Sequence, residues 1–116
     1  MGINRYRKST LRLHYAVNDA KSVTAALQKI GFPQKHIITL LDERATGSRI
    51  RKAFGSLTRR TKENDRVVVF FAGHGVTDNL PGGGEMGYLM PVESDPNDLV
   101  GTGLPMSQVR DMARSL

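Results

Sequence analysis

The stretch VVVFFAGHGVTD, residues 67–78, decides how this chain is read. Its first six residues are apolar and do not alternate; a Gly-His-Gly follows, and the chain then turns polar. An unbroken run of β-branched and aromatic residues suits a central parallel strand covered on both faces, since a half-exposed strand would alternate. In open α/β sheets, functional groups gather beyond the carboxyl ends of parallel strands. His74 occupies that position. A histidine titrates near neutral pH, so it can take a proton from a nucleophile and later return it to a leaving group. The N–H of Gly75 can help to hold a developing oxyanion, and flanking glycines let another backbone come close. Position alone equally fits a histidine that merely hydrogen-bonds at a strand end.

Working outward, ATGSRIRKAFGSLTRRT (45–61) reads as an amphipathic helix with Thr46 as its cap and Ile50, Phe54 and Leu57 on one face. HIITLLD (36–42) is a short buried strand. NDAKSVTAALQKIGFP (18–33) is an earlier helix, with Ala20, Val23, Leu27 and Ile30 at helical spacing. Asn18 or Asp19 can cap its start, Gly31 suits its end, and Pro33 forbids continuation. Downstream, VTDNLPGGGEMGYLMP (76–91) reads as two short strands around a glycine-rich loop. PMSQVRDMARSL (105–116) reads as a last helix with Val109, Met112, Ala113 and Leu116 inward. Strand, helix, strand, helix, strand predicts one α/β domain over 1–116, a mostly parallel sheet flanked by helices with right-handed crossovers. Both ends look cut through a larger domain: MGIN supplies little of an opening strand, and no strand follows the last helix.

Composition narrows the function classes. The chain has 116 residues, 39% of them hydrophobic, and no cysteine. Disulfides and thiolate metal sites are therefore excluded. No stretch approaches the roughly 18 apolar residues of a membrane span. The N-terminus lacks a signal-peptide core, and Tyr6 stands where a myristoylation signal wants Ser or Thr, so a cytoplasmic location is the default expectation. Residues 1–66 hold 15 Lys and Arg against 5 Asp and Glu, while 67–116 hold 2 against 6. Such asymmetry can mark a nucleic-acid surface. Here the basic residues are scattered over two predicted helices without stacking aromatics, which argues for a solvated basic face instead.

Taken together, INRYR, LHYAVNDAKSVTAAL, LLDERAT, DRVVVFFAGHG and GYLMPVESDP resemble, in this order, the caspase-like clan of cysteine endopeptidases (peptidase C14), in its bacterial and metacaspase-type branch. The resemblance implies the three-layer caspase-like fold and proteolysis of a protein or peptide substrate by Cys–His acyl transfer. It implies His74 as catalytic base and Gly75 as an oxyanion-hole donor. It also implies that Asp19, in the NDA element, lines the primary specificity pocket and pairs with a substrate Arg or Lys. The physical alternative for Asp19 is a carboxylate that offsets unpaired N–H groups in the first turn of a helix.

The same resemblance predicts what is missing. The family's nucleophilic cysteine ends the next sheet strand in an Asp-x-Cys-x-Gly element, and the residues up to Leu116 contain none. Ser107 and Ser115 are not at a strand end and do not replace it. The expectation is a domain fragment that carries the base, needs the remainder of the peptidase domain as its partner, and has no turnover alone. The alternative is a non-catalytic caspase-like module used for binding or assembly. No cofactor is expected from the residues themselves; family members often require calcium, and because no calcium-binding acids are assigned on this chain, the sequence leaves that dependence open. Asp95 and Asp98 lack the central glycine and terminal bidentate Glu of an EF-hand. PGGG (81–84) has no Lys-Ser/Thr pair and is read as a flexible loop. His14, His36 and the methionines are read as structural.

Overall fold

Residues Met1–Ile3 lie between two other segments, with Gly2 bridged in parallel to Leu41 on one side and to Ala72 on the other. The computed structural model describes residues 1–116. On the first side, Gly2 N–H donates to the Leu40 carbonyl (3.1 Å) and Asp42 N–H donates to the Gly2 carbonyl (3.0 Å). On the second, the Met1 amine donates to the Phe70 carbonyl (2.8 Å). Ala72 N–H donates to Met1 O and Ile3 N–H to Ala72 O (2.9 and 3.0 Å).

This arrangement corrects the expected sheet. The neighbouring segments 37–41 and 67–72 run parallel, as the sequence predicts, but their shared partner is only three residues long. No regular parallel ladder forms. The N–H groups of Val67 to Phe71 make no hydrogen bond, and Val68 and Val69 are 47% and 45% exposed rather than buried. The regular sheet is antiparallel instead: β1 (Gly75–Asn79), β2 (Glu85–Leu89) and β3 (Leu104–Pro105), in the order β1-β2-β3. The two expected strands around the glycine-rich loop are present, with Gly75 opposite Leu89 and Asn79 opposite Glu85. Gly83 and Gly84 adopt φ of 96° and 85°, which only glycine takes without strain.

Four helices surround these segments. α1 (Ala16–Lys29) presses Ala16 and Ala20 onto Gly2, where an added Cβ would come within 2.7 Å of both the Ala16 carbonyl and the Ala20 Cβ. Its cap differs from expectation. The capping position is Tyr15, which supplies no side-chain acceptor, and the Asn4 Oδ1 takes the Val17 N–H (3.2 Å) from outside the helix. Asp19 lies in the first turn, and Ile30 is 72% exposed. α2 (Gly47–Arg60) starts as predicted, with Thr46 Oγ1 accepting the Arg49 N–H, and buries Ile50 and Phe54. The Glu93 carboxylate accepts the Gly47 N–H, adding a negative charge at the positive end of α2. α3 (Leu99–Thr102) is capped by Asp98. α4 (Met106–Arg114) packs Val109 and Met112, together with Leu116, against the core, while Ala113 is exposed.

One hydrophobic cluster joins these elements: Ile3, Tyr6, Leu40, Ala45, Ile50, Phe54, Tyr88, Met90, Val92, Leu99 and Leu104. Asp42 fastens its polar edge. With φ of 47°, a conformation Asp tolerates better than most residues, it turns Oδ1 onto the N–H groups of Asn4 and Arg5 (2.9 Å each). The Arg5 Nε lies 3.4 Å from Oδ2. Burial raises the Asp42 carboxyl pKa, but the N–H bonds from Arg5 and Asn4 and the Arg5 charge outweigh it and leave it below the ordinary value.

Two predictions follow from these contacts. Because the folded-state pKa of Asp42 is depressed, its contribution is complete above the unfolded value of about 3.9 and fades as pH falls through the lowered folded value. Asp42→Ala should cost about 1–3 kcal/mol at neutral pH in urea melts and should flatten the acid limb of the stability curve. An unchanged acid limb would count against this role. Thr46→Ala should cost about 1 kcal/mol through the lost α2 cap, read in the same melts.

Candidate active site

The site begins where segment 67–72 ends and the antiparallel sheet starts. Met90 N–H donates to the His74 carbonyl (3.0 Å), so His74 and Met90 form the pair immediately before Gly75 and Leu89. Hydrogen-bonded and non-hydrogen-bonded pairs alternate along an antiparallel ladder. The Gly75–Leu89 pair is therefore of the second kind, and the Gly75 N–H is turned away from β2. As β1 is an edge strand and Gly75 is exposed, that donor faces the open side of the sheet. A group with developing negative charge can approach it there.

His74 itself is half-buried and held from several directions. Its Nε2 lies 2.7 Å from the Leu11 carbonyl oxygen. A carbonyl only accepts, so Nε2 carries the proton in this bond, and in the neutral ring Nδ1 is left as the acceptor. The Leu11 carbonyl is delivered by the 3-10 turn Ser9–Leu11. The backbone N–H of His74 donates to the Tyr6 hydroxyl (2.8 Å), and the Tyr6 ring sits 5.1 Å from the imidazole, tilted by 55°. Tyr6 is fully buried, and burial raises its hydroxyl pKa while the bond from His74 lowers it, burial being the larger effect. Gly73 has an internal reason to be glycine: an added Cβ would meet the Tyr6 hydroxyl at 2.6 Å. At Gly73 the constraint is packing within the chain, before any substrate is considered.

Asp19 lies on the wall of an open cleft of about 450 Å³ that reaches Phe71, Ala72 and Gly73, the residues leading to His74. Its carboxylate is exposed and makes no ion pair. Arg12, His14 and Tyr15 line the same cleft, so a basic side chain entering it meets one carboxylate and one guanidinium. The structure thus brings the Asp19 cleft up to the His74 segment. A more apolar groove of about 320 Å³ lies between Ile37–Ile38 and Val67–Phe70, toward the other end of these segments.

The remaining candidates have structural partners. Asp95 accepts the Asn97 N–H and pairs with Lys8 at 3.5 Å; that N–H bond is the main reason its pKa lies below the ordinary value. Asp98 caps α3 through the Gly101 N–H. Ser115 donates to the Asp111 carbonyl, and Ser107 to the Met86 sulfur. Sequence reasoning missed Leu11 and Tyr6. A backbone carbonyl leaves no trace in side-chain identity, and one tyrosine in a polar stretch carries no spacing signal.

Comparison with known proteins places the chain in a family. A family model described as the caspase domain (peptidase C14) matches residues 1–114. Metacaspase-3 of Arabidopsis thaliana is 34% identical over 92 residues, covering 73% of this chain. Those residues are 25% of the relative, so the chain spans about a quarter of its length. No solved structure matches. With nearly every residue inside the family match, the chain belongs to the caspase-domain family of peptidases.

Proposed function

We propose that this chain is the histidine-bearing part of a caspase-like cysteine endopeptidase domain, with His74 as general base and acid. The observation that carries the reading is the 2.7 Å contact between His74 Nε2 and the Leu11 carbonyl. It commits one ring nitrogen to the protein and leaves the other to chemistry. A thiol from the remainder of the domain gives its proton to Nδ1 and attacks the scissile carbonyl as thiolate. The Gly75 N–H stabilises the resulting oxyanion. The Leu11 carbonyl continues to accept the Nε2 proton while the ring is positively charged. The imidazolium then protonates the leaving amine, and a water hydrolyses the acyl-enzyme. Asp19 receives a substrate Arg or Lys by a charge-assisted pair, and its unpaired state leaves both oxygens available for a bidentate contact. Calcium enters no step of this scheme.

This chain contains no cysteine, so alone it should show no peptidase turnover. The competing reading is a caspase-like binding module, which the half-exposed Val68 and Val69 beside the apolar groove favour. Sequencing the coding DNA past Leu116 separates the two. A frame that continues into an apolar strand ending in Asp-x-Cys-x-Gly is expected, and a stop codon directly after Leu116 would overturn the peptidase reading. In the protein that includes that segment, His74→Ala should lower kcat/KM by about 10²- to 10⁴-fold with the fold intact. Retained activity would remove the base assignment. Asp19→Ala should cost roughly ten- to a hundredfold for peptides with Arg or Lys at the cleaved position. Equal losses for acidic peptides would reduce Asp19 to a first-turn helix carboxylate.

A further inference from the structure

We propose that Tyr6 is a positioning residue for His74: its buried hydroxyl, inserted between His74 and Met90, sets the imidazole so that Nε2–H meets the Leu11 carbonyl and Nδ1 stays open. In a regular antiparallel pair, two residues exchange both N–H···O bonds. His74 and Met90 exchange only one directly, from Met90 N–H to the His74 carbonyl. The reciprocal bond runs through Tyr6, whose hydroxyl accepts the His74 N–H (2.8 Å) and donates to the Met90 carbonyl (2.9 Å). One oxygen atom thus replaces a direct contact, and the strand is splayed from its neighbour at the residue that carries the imidazole.

The hydroxyl is oriented by this arrangement, since its one proton and one acceptor site are both engaged. The burial that raises its pKa keeps that proton in place to donate to Met90. The ring below it packs against the imidazole at 5.1 Å, which restricts rotation of His74. Gly73 is the space the hydroxyl needs, since any side chain there would collide with it. Leu11 follows Tyr6 by five residues, so one short stretch of chain fixes both the backbone of His74 and its Nε2. The catalytic consequence rests on the peptidase reading, whereas the positioning does not, and the test is chosen to read the positioning alone.

In the 116-residue chain, nitrogen-resolved NMR of the imidazole should show an Nε2 proton on His74 that exchanges slowly with water. In Tyr6→Phe, which keeps the ring and loses the hydroxyl, that proton should exchange about fivefold faster or more, the effect of one hydrogen bond. The imidazoles of His14 and His36 serve as unchanged controls. A folded Tyr6→Phe chain with the wild-type exchange rate would overturn the proposal. If the variant does not fold, the wild-type chain grown with 3-fluorotyrosine decides, because its shape is kept while the oxygen becomes a weaker acceptor. Displaced ring-nitrogen resonances of His74 would then support the inference, and unmoved ones would overturn it.

Discussion

The structure depends on the three residues Met1–Ile3, which hydrogen-bond on both sides at once. They carry backbone hydrogen bonds to both the segment that precedes α2 and the one that leads to His74. Their side chains carry part of the same load. Gly2 lets α1 approach to contact distance, and Ile3 is fully buried in the shared cluster. Immediately after them, Asn4 caps α1, Asp42 binds the Asn4 and Arg5 N–H groups, and Tyr6 reaches the His74 backbone. A stretch of six residues therefore positions α1, two extended segments and the site.

The site follows from a change of pairing partner. Up to Ala72 the chain is bonded in parallel to residues 1–3, and from His74 onward it is bonded antiparallel to the segment ending β2. His74 stands at that switch, where one backbone donor is taken by a tyrosine hydroxyl and the next, on Gly75, is turned outward. Changes of pairing leave backbone groups without ladder partners, and such groups are what an acyl-transfer site can use. The chain belongs to the caspase-domain family, and the proposed function draws on the groups at this junction.

Much of the fold is legible in the sequence because local physics dominates it. The periodicity of Ile50, Phe54 and Leu57 and the cap at Thr46 define α2 with little outside help, and the glycine-rich loop between β1 and β2 announces a hairpin. The reading of 67–73 as a buried central strand did not hold in the same way. Apolar character shows that a segment can be covered on both faces, but coverage needs a neighbour of equal length, and Met1–Ile3 is too short to provide one. The helix cap failed for a related reason. Asn18 and Asp19 lie inside α1, while the acceptor comes from Asn4, fourteen residues before Asn18 and adjacent only after folding.

The sequence by itself determined which residues carry titratable chemistry, that no thiol is among them, and that His74 follows an apolar extended segment between two glycines. Tertiary structure alone decided how that histidine is held. The Leu11 carbonyl is 63 residues away in sequence and the Tyr6 hydroxyl 68, and both meet His74 only when the chain is folded. Side-chain type is written locally, but a hydrogen bond depends on distance and angle, and for such distant groups only the packed core sets them.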